Sequence, residues 1–419
     1  MTAPPRTYPR NVLVSLTAAA LTMAALAFAP SAAFAQEDEE EGRRSAPTIS
    51  QRTGEKLNEA IEFLNNDDYA SARAVLADIN LERLSPYERS RVEQIWSGIE
   101  YSEGNYRAAR EHLQQAIAAG GFNERETSQA KYQIAQIFMT EENWEQGAAA
   151  LEEWFRTAPA PNSSAYYLLA AAYYQMEDLD AALEPAKKAV EMSERPQSSW
   201  IELLLALYLT RENYDAALPL LERLIAMEPQ EKNHWLRLSS LYQQQEEYGQ
   251  ALAAMQIAYN AGFLQQGSEY ERLSDMLRFN DIPYRAARVL KEAMDEGLVE
   301  SDSETYEKLA NAWIQARDFE EAIPPLTRAA EMSDSGDLFL RLGQVQIQRE
   351  EWQEALSALQ QAVEKGDLED PGQANLFMGI ALFNLDRLGD ARQAFERAAR
   401  SEEQREMARD YIALIDSKR

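Results

Sequence analysis

Cysteine is absent from this 419-residue sequence, which removes disulfides, thiolate metal sites, cysteine nucleophiles and a lipidated cysteine anchor together. Histidine is nearly absent. His112 and His234 stand far apart, no spacing resembles a metal site, and both read as solvated helix positions. Glycine and proline are scarce, at 17 and 16 residues, so neither a loop-rich fold nor a glycine-rich phosphate cradle is indicated. Basic residues are outnumbered, 41 against 70 acidic ones, and a net charge of −29 repels nucleic acid and anionic lipid headgroups alike. What remains is 45% hydrophobic, enough for a folded chain. It is too long for one ordinary core, so two domains or an elongated repeat structure is expected.

Long apolar runs are also missing, with one exception at the start. Arg6 and Arg10 precede an apolar stretch from about Val12 to Ala29, Pro30 breaks it, and Ala33-Phe34-Ala35 stands before Gln36 in the small-x-small form of a leader cleavage site. Residues 1–35 therefore read as a secretory signal peptide cleaved after Ala35, so the mature protein is expected to be exported. The run is longer than usual for such a leader, and an uncleaved inner-membrane anchor is the alternative. Residues 36–52 begin with QEDEEEGRRSAPTIS, lack apolar periodicity and read as an acidic disordered linker.

From there on, one pattern recurs every 33 to 38 residues. An aromatic or apolar mark (Tyr69, Tyr106, Trp144, Leu179, Tyr214, Tyr248, Pro283, Phe319, Trp352, Leu388) is followed three residues later by a small one. That small position is alanine nine times and Gly147 once. Seven residues after the mark comes an apolar side chain, such as Leu76, Leu221 or Leu326, and ten after it an alanine in seven repeats. A second small position lies upstream, as at Ala60, Ser97, Ser239 and Gly343, with Leu205 the clear departure. Small side chains at such spacing let two helices cross closely. Short polar joints such as QMED, TREN and QARD separate the two helices of each unit, and proline closes some units, at Pro159 and Pro229. Asp281 is placed to cap the helix that Pro283 opens, and Pro185, Pro219, Pro324 and Pro325 fall deeper inside their helices.

The pattern resembles the tetratricopeptide repeat (TPR), W-x2-L-G-x2-Y…A-x3-F…P. The resemblance implies an all-α fold, a right-handed superhelical solenoid of about ten helix-turn-helix repeats over residues 53–400. Residues 401–419 follow as a C-terminal capping helix. It also implies a non-enzymatic scaffold that binds a protein or peptide in the groove lined by the first helix of each pair. No nucleophile motif, metal-ligand spacing or isolated carboxylate pair argues for catalysis, and no cofactor is expected. The groove positions of the family, five residues into each repeat, fall on Leu57, Gln94, Tyr132, Tyr167, Glu202, Leu236, Glu271, Glu307, Leu340 and Leu376. None is the lysine with which chaperone-binding members clamp a terminal carboxylate. The expected groove residues are Tyr132, Gln136, Tyr167 and Tyr174 at the front. Glu202, Asn233, Gln243, Glu271, Asp275 and Arg278 make the middle, with Glu307 and Asn311 beyond. An aromatic–polar front beside an acidic middle suits a peptide with apolar anchors and some basic residues.

The stretch from Ser198 to Tyr242, with RVLKEAMDEGLVE and LFLRLGQVQIQREEWQEALSALQQAVEKG downstream, is similar to exported gammaproteobacterial TPR proteins assigned to TonB energy-transduction systems. That similarity implies a periplasmic accessory, in a Gram-negative cell, of outer-membrane iron-chelate transport, with a basic segment of a TonB-motor component as partner. A periplasmic scaffold for envelope assembly, secretion or polysaccharide export is the alternative.

Overall fold

The computed structural model describes residues 48–158 and 160–417. The expected leader, the linker up to residue 47 and Pro159 lie outside the described residues. The chain divides into two compact units, one up to Met227 and one from Glu228. Among the described residues there are 21 α-helices, one short 3-10 turn at Leu81–Arg83 and no strand.

The first unit holds five antiparallel pairs, each a helix A followed by a helix B. They are α1 (Gln51–Asn65) with α2 (Tyr69–Ala77), α3 (Pro86–Ser102) with α4 (Tyr106–Ala118), α5 (Glu124–Thr140) with α6 (Trp144–Thr157), α7 (Ser163–Gln175) with α8 (Leu179–Glu191), and α9 (Ser198–Thr210) with α10 (Tyr214–Met227). The second unit holds five more: α11 (Lys232–Gln244) with α12 (Tyr248–Asn260), α13 (Gly267–Phe279) with α14 (Pro283–Asp295), α15 (Ser303–Gln315) with α16 (Phe319–Met332), α17 (Asp337–Gln348) with α18 (Trp352–Lys365), and α19 (Pro371–Asn384) with α20 (Leu388–Ala398). A last helix, α21 (Arg405–Ser417), has no partner of its own and packs through Ala408, Tyr411, Ile412 and Ile415 onto the fifth pair. This is the expected all-helical solenoid of about ten repeats with a closing helix.

The periodic residues are where the pairs touch. All ten small residues three positions after the mark are buried, from Ala72 to Ala391, as are their upstream counterparts. Large side chains are nearly excluded there, and at two glycines even a Cβ has no room. A Cβ on Gly343 would stand 2.6 Å from Leu359 Cγ, and one on Gly379 would stand 2.5 Å from the Phe395 ring. Serine serves at this crossing because its hydroxyl finds the facing backbone. Ser239 donates to the Ala251 carbonyl at 2.8 Å and Ser274 to that of Ala286 at 3.0 Å. Ser97 sits at the equivalent place in the second repeat, and its buried hydroxyl has no hydrogen-bond partner. Leu76, Leu151, Leu221 and Leu326 fill the space between pairs with almost no exposure, each worth about 1.5–3 kcal/mol of apolar burial.

Every A helix ends the same way. The residue two before the mark is in the left-handed region in all ten repeats: Asp67, Gly104, Glu142, Glu177, Glu212, Glu246, Asp281, Arg317, Glu350 and Asp386. In the first repeat the Asp67 N–H donates to the Leu64 carbonyl at 3.2 Å and the Asp68 N–H to that of Phe63 at 2.9 Å. That paired closure satisfies carbonyls the helix end would otherwise leave open. It also moves the N-cap of helix B to the next residue, where Asp68, Asn143, Asp178 and Asp318 accept from the backbone two or three positions on. Asp281 is therefore not the cap of α14. It occupies the left-handed slot, and Ile282, with no oxygen to offer, stands at the cap while Pro283 opens the helix.

The histidines also differ from expectation. His234 is 3% exposed, with Nε2 3.2 Å from Glu228 Oε2, and His112 stacks on Trp96 with Nδ1 2.7 Å from the buried Glu93 carboxylate. Both are packed side chains. Helices α8, α10 and α16 run unbroken through Pro185, Pro219 and the Pro324–Pro325 pair. No helix among the described residues is long and apolar enough to cross a membrane.

Candidate partner-binding surface

The A helices present the expected groove residues, and the two units use them differently. In the first unit, α5 carries Tyr132 and Gln136, both half-buried. The Tyr132 ring lies against Trp154 of α6, with centroids 4.7 Å apart, and burial pushes its hydroxyl up to about 12, with a partial offset from Gln136. Trp154 is itself held by its indole N–H donating to Ser128 Oγ at 2.9 Å. On α7, Tyr167 is only 7% exposed and stacks on Trp200 of α9 at 5.6 Å, so it is a packing residue with little surface for a ligand. Tyr174, two turns further on, is half-buried, and burial raises its hydroxyl too. Glu202 on α9 is half-buried. Tyr132, Gln136, Tyr174 and Glu202 thus form the accessible part of this surface.

In the second unit the acidic middle is largely spoken for. Lys308 of α15 reaches back to Glu271 of α13 at 3.4 Å, and Arg341 of α17 reaches Glu307 of α15 at 3.6 Å. Lys232 of α11 holds Glu269 at 2.8 Å, and Arg272 donates to Ser240 Oγ at 3.0 Å and to the Gln243 side chain. Asp275 pairs with Arg278 one turn away at 3.6 Å, while Asn233 is exposed at the start of α11. Asn311 is placed on α15 with a buried side-chain oxygen that has no hydrogen-bond partner. The cations in this ladder escaped the sequence reading. Their signal is opposite charge one repeat apart: Lys232 to Glu269 and Glu271 to Lys308 are each separated by 37 positions.

The fifth position of a repeat is also not a reliable groove position here. Leu57, Tyr167, Leu340 and Leu376 are all buried in the core, and Leu236 packs against it. No group of acidic and histidine side chains able to hold a metal ion occurs among the described residues.

A family model described as tetratricopeptide repeat matches residues 99–160, 132–199, 206–267 and 340–405, more than half of the chain. The chain belongs to the tetratricopeptide-repeat family. Members of this family are generally non-enzymatic, and their repeats generally bind protein partners. Three solved structures are among those similar to this chain. A tetratricopeptide repeat protein from Parabacteroides merdae is 18% identical, covering 63% of this chain and 99% of its own, with a TM-score of 0.38. MamA from Desulfovibrio magneticus is 17% identical, covering 43% and 98%, with a TM-score of 0.36. The APC/C hetero-tetramer Cut9–Hcn1 is 13% identical, covering 88% and 96%, with a TM-score of 0.33. No curated protein matches the TPR chain in sequence.

Proposed function

We propose that the protein is a periplasmic scaffold that captures a protein segment on the A-helix surface of its first unit and serves a TonB energy-transduction system. The observation that carries the binding reading is the contrast just described. Tyr132, Gln136 and Tyr174 keep half-exposed aromatic and amide surface on neighbouring A helices, whereas Glu271 and Glu307 of the second unit already hold cations. Amphipathic rings on a rigid helix are good anchors because little side-chain entropy is lost on binding. Glu202 on the next A helix adds acidic character that favours a basic neighbour in the ligand. The TonB assignment is supported by the resemblance of residues 198–242 and of the stretches downstream. Export is supported by the leader-like residues 1–35, with cleavage after Ala35.

Pull-down of the tagged protein from an envelope extract tests the assignment. Recovery of a TonB-motor component, weakened by Tyr174→Ala and Glu202→Lys, is expected, together with impaired iron-chelate uptake in a deletion strain. Recovery of secretion or polysaccharide-export components with normal uptake assigns the scaffold to envelope assembly instead. An N-terminus found at Met1 in the purified envelope protein would overturn cleavage.

A further inference from the structure

Away from the A-helix surface, the second unit contains a cleft of about 490 Å³ bounded by α14, α15 and α16. It lies between successive B helices. Its floor is apolar, made by Leu309, Trp313 and Pro325, with Met294 and Pro324 on its walls. Trp313 is fixed there by packing and by the edge of Tyr284 at 5.3 Å. Pro324 and Pro325, at the sixth and seventh positions of α16, present compact rings to it.

The same two prolines change the chemistry of the wall. Neither has an N–H, so the carbonyls of Glu320 and Glu321 lack their usual donors four residues on. Glu321 and Pro325 both line the cleft. The Glu321 side chain is exposed in the first turn of the helix and pairs with no cation among the described residues. The cations of the rim are engaged: Lys291 pairs with Asp295 at 2.7 Å and Arg328 with Glu331 at 3.0 Å. Acceptors therefore exceed donors around an aromatic floor.

We propose that this cleft is a second docking site, for an extended basic segment of a partner protein in which a bulky apolar residue sits beside an arginine. The apolar side chain lies on Trp313 and Pro325. The guanidinium pairs with both oxygens of the Glu321 carboxylate, which a planar fork of donors does better than an ammonium. The volume falls within the range of about 300–1,000 Å³ typical of small-ligand pockets, so it takes a short stretch of side chains and not the face of a folded domain.

The test is fluorescence polarisation of the full chain at low salt with labelled, end-blocked hexapeptides Gly-Ser-Phe-Arg-Ser-Gly and Gly-Ser-Phe-Glu-Ser-Gly. The arginine peptide is expected to bind, and the glutamate peptide is not. Glu321→Lys and Thr327→Trp, which reverses the charge and fills the mouth, should each weaken binding about tenfold or more, and Glu321→Gln should give an intermediate loss. Glu222→Lys, on the exposed face of α10 in the other unit, should leave affinity within about twofold, and thermal unfolding checks that each variant is folded. The proposal fails if the arginine peptide does not bind at millimolar concentration, or if Glu321→Lys binds it like the natural chain. It also fails if Glu222→Lys removes binding while the cleft variants do not. Arginine amide binding as tightly as the peptide would overturn the assignment to a protein segment. None of these outcomes depends on the A-helix surface or on TonB.

Discussion

The two units are built from the same helix pair but join neighbouring helices by different forces. In the first, rings stack from helix to helix: Tyr132 on Trp154, Phe155 on Tyr166, Tyr167 on Trp200. In the second, side chains of opposite charge reach across one repeat: Lys232 to Glu269, Lys308 to Glu271, Arg341 to Glu307. Ring contacts, which include the buried Trp154, Tyr167 and Trp200, resist salt, whereas half-exposed ion pairs contribute little and are screened. The contrast is one of degree, since Arg91 also pairs with Glu126 in the first unit. It teaches that the conserved geometry of a repeat leaves the A-helix surface free to vary, so one unit can keep aromatic surface while the other neutralises its own charge.

The comparison breaks most readily at a ring. Trp200→Ala should destabilise the first unit by about 3–5 kcal/mol in urea unfolding of the full chain, because it removes the floor under Tyr167. A loss near that of an ion-pair variant would erase the distinction between the units.

A smaller effect tests the start of the first unit. Glu88 is buried at the head of α3, and burial alone would raise its pKa. Hydrogen bonds from Ser50 N–H at 2.9 Å, Ser85 N–H at 3.0 Å and Ser85 Oγ at 2.8 Å outweigh this and bring it down to about 2. A pKa lowered on folding contributes stability that is complete above the ordinary value of 4.5 and fades as pH falls toward 2. Glu88→Gln should therefore destabilise the protein by about 2 kcal/mol at pH 7. The gap between variant and natural chain should close from pH 5 to pH 2, as followed by denaturation at each pH.

The serine crossings sharpen the comparison further. Ser97→Ala in the first unit removes a buried hydroxyl without a partner and should stabilise by about 1 kcal/mol, while Ser274→Ala in the second removes a bond to Ala286 and should cost about as much. Equal effects of one sign in thermal unfolding would show that the two hydroxyls are not differently satisfied.

The smallest effect belongs to the ladder. A double-mutant cycle of Glu271→Gln and Lys308→Met, whose side chains are 32% and 33% exposed, should give a coupling of about 0.5 kcal/mol that disappears in about 1 M salt. Coupling above about 2 kcal/mol would make the ladder as strong as the stacked rings.

The helix pairs were legible in the sequence because close crossing admits only small side chains, and that constraint returns at every repeat. The surface was less legible. Tyr167 stacked on Trp200 and Tyr174 at the accessible face are the same residue type on the same helix, and only packing distinguishes them. The partners of Glu271 and Glu307 lie on the following A helix, at separations of 37 and 34 residues, and no local motif brings them together. The cap of α14 was misread at Asp281 because the turn that closes each A helix takes up one residue more than a simple polar joint suggests.

That turn has an electrical consequence. Eight of its ten left-handed residues are Asp or Glu, all exposed, where glycine would be the easier choice. In each unit the turns fall along one edge of the stack, so that edge bears a line of like charges, one per repeat, broken only by Gly104 and Arg317. Two such edges repel at neutral pH and tolerate one another only with counter-ions between them, which makes this edge of each unit poorly suited to crowding against its own kind.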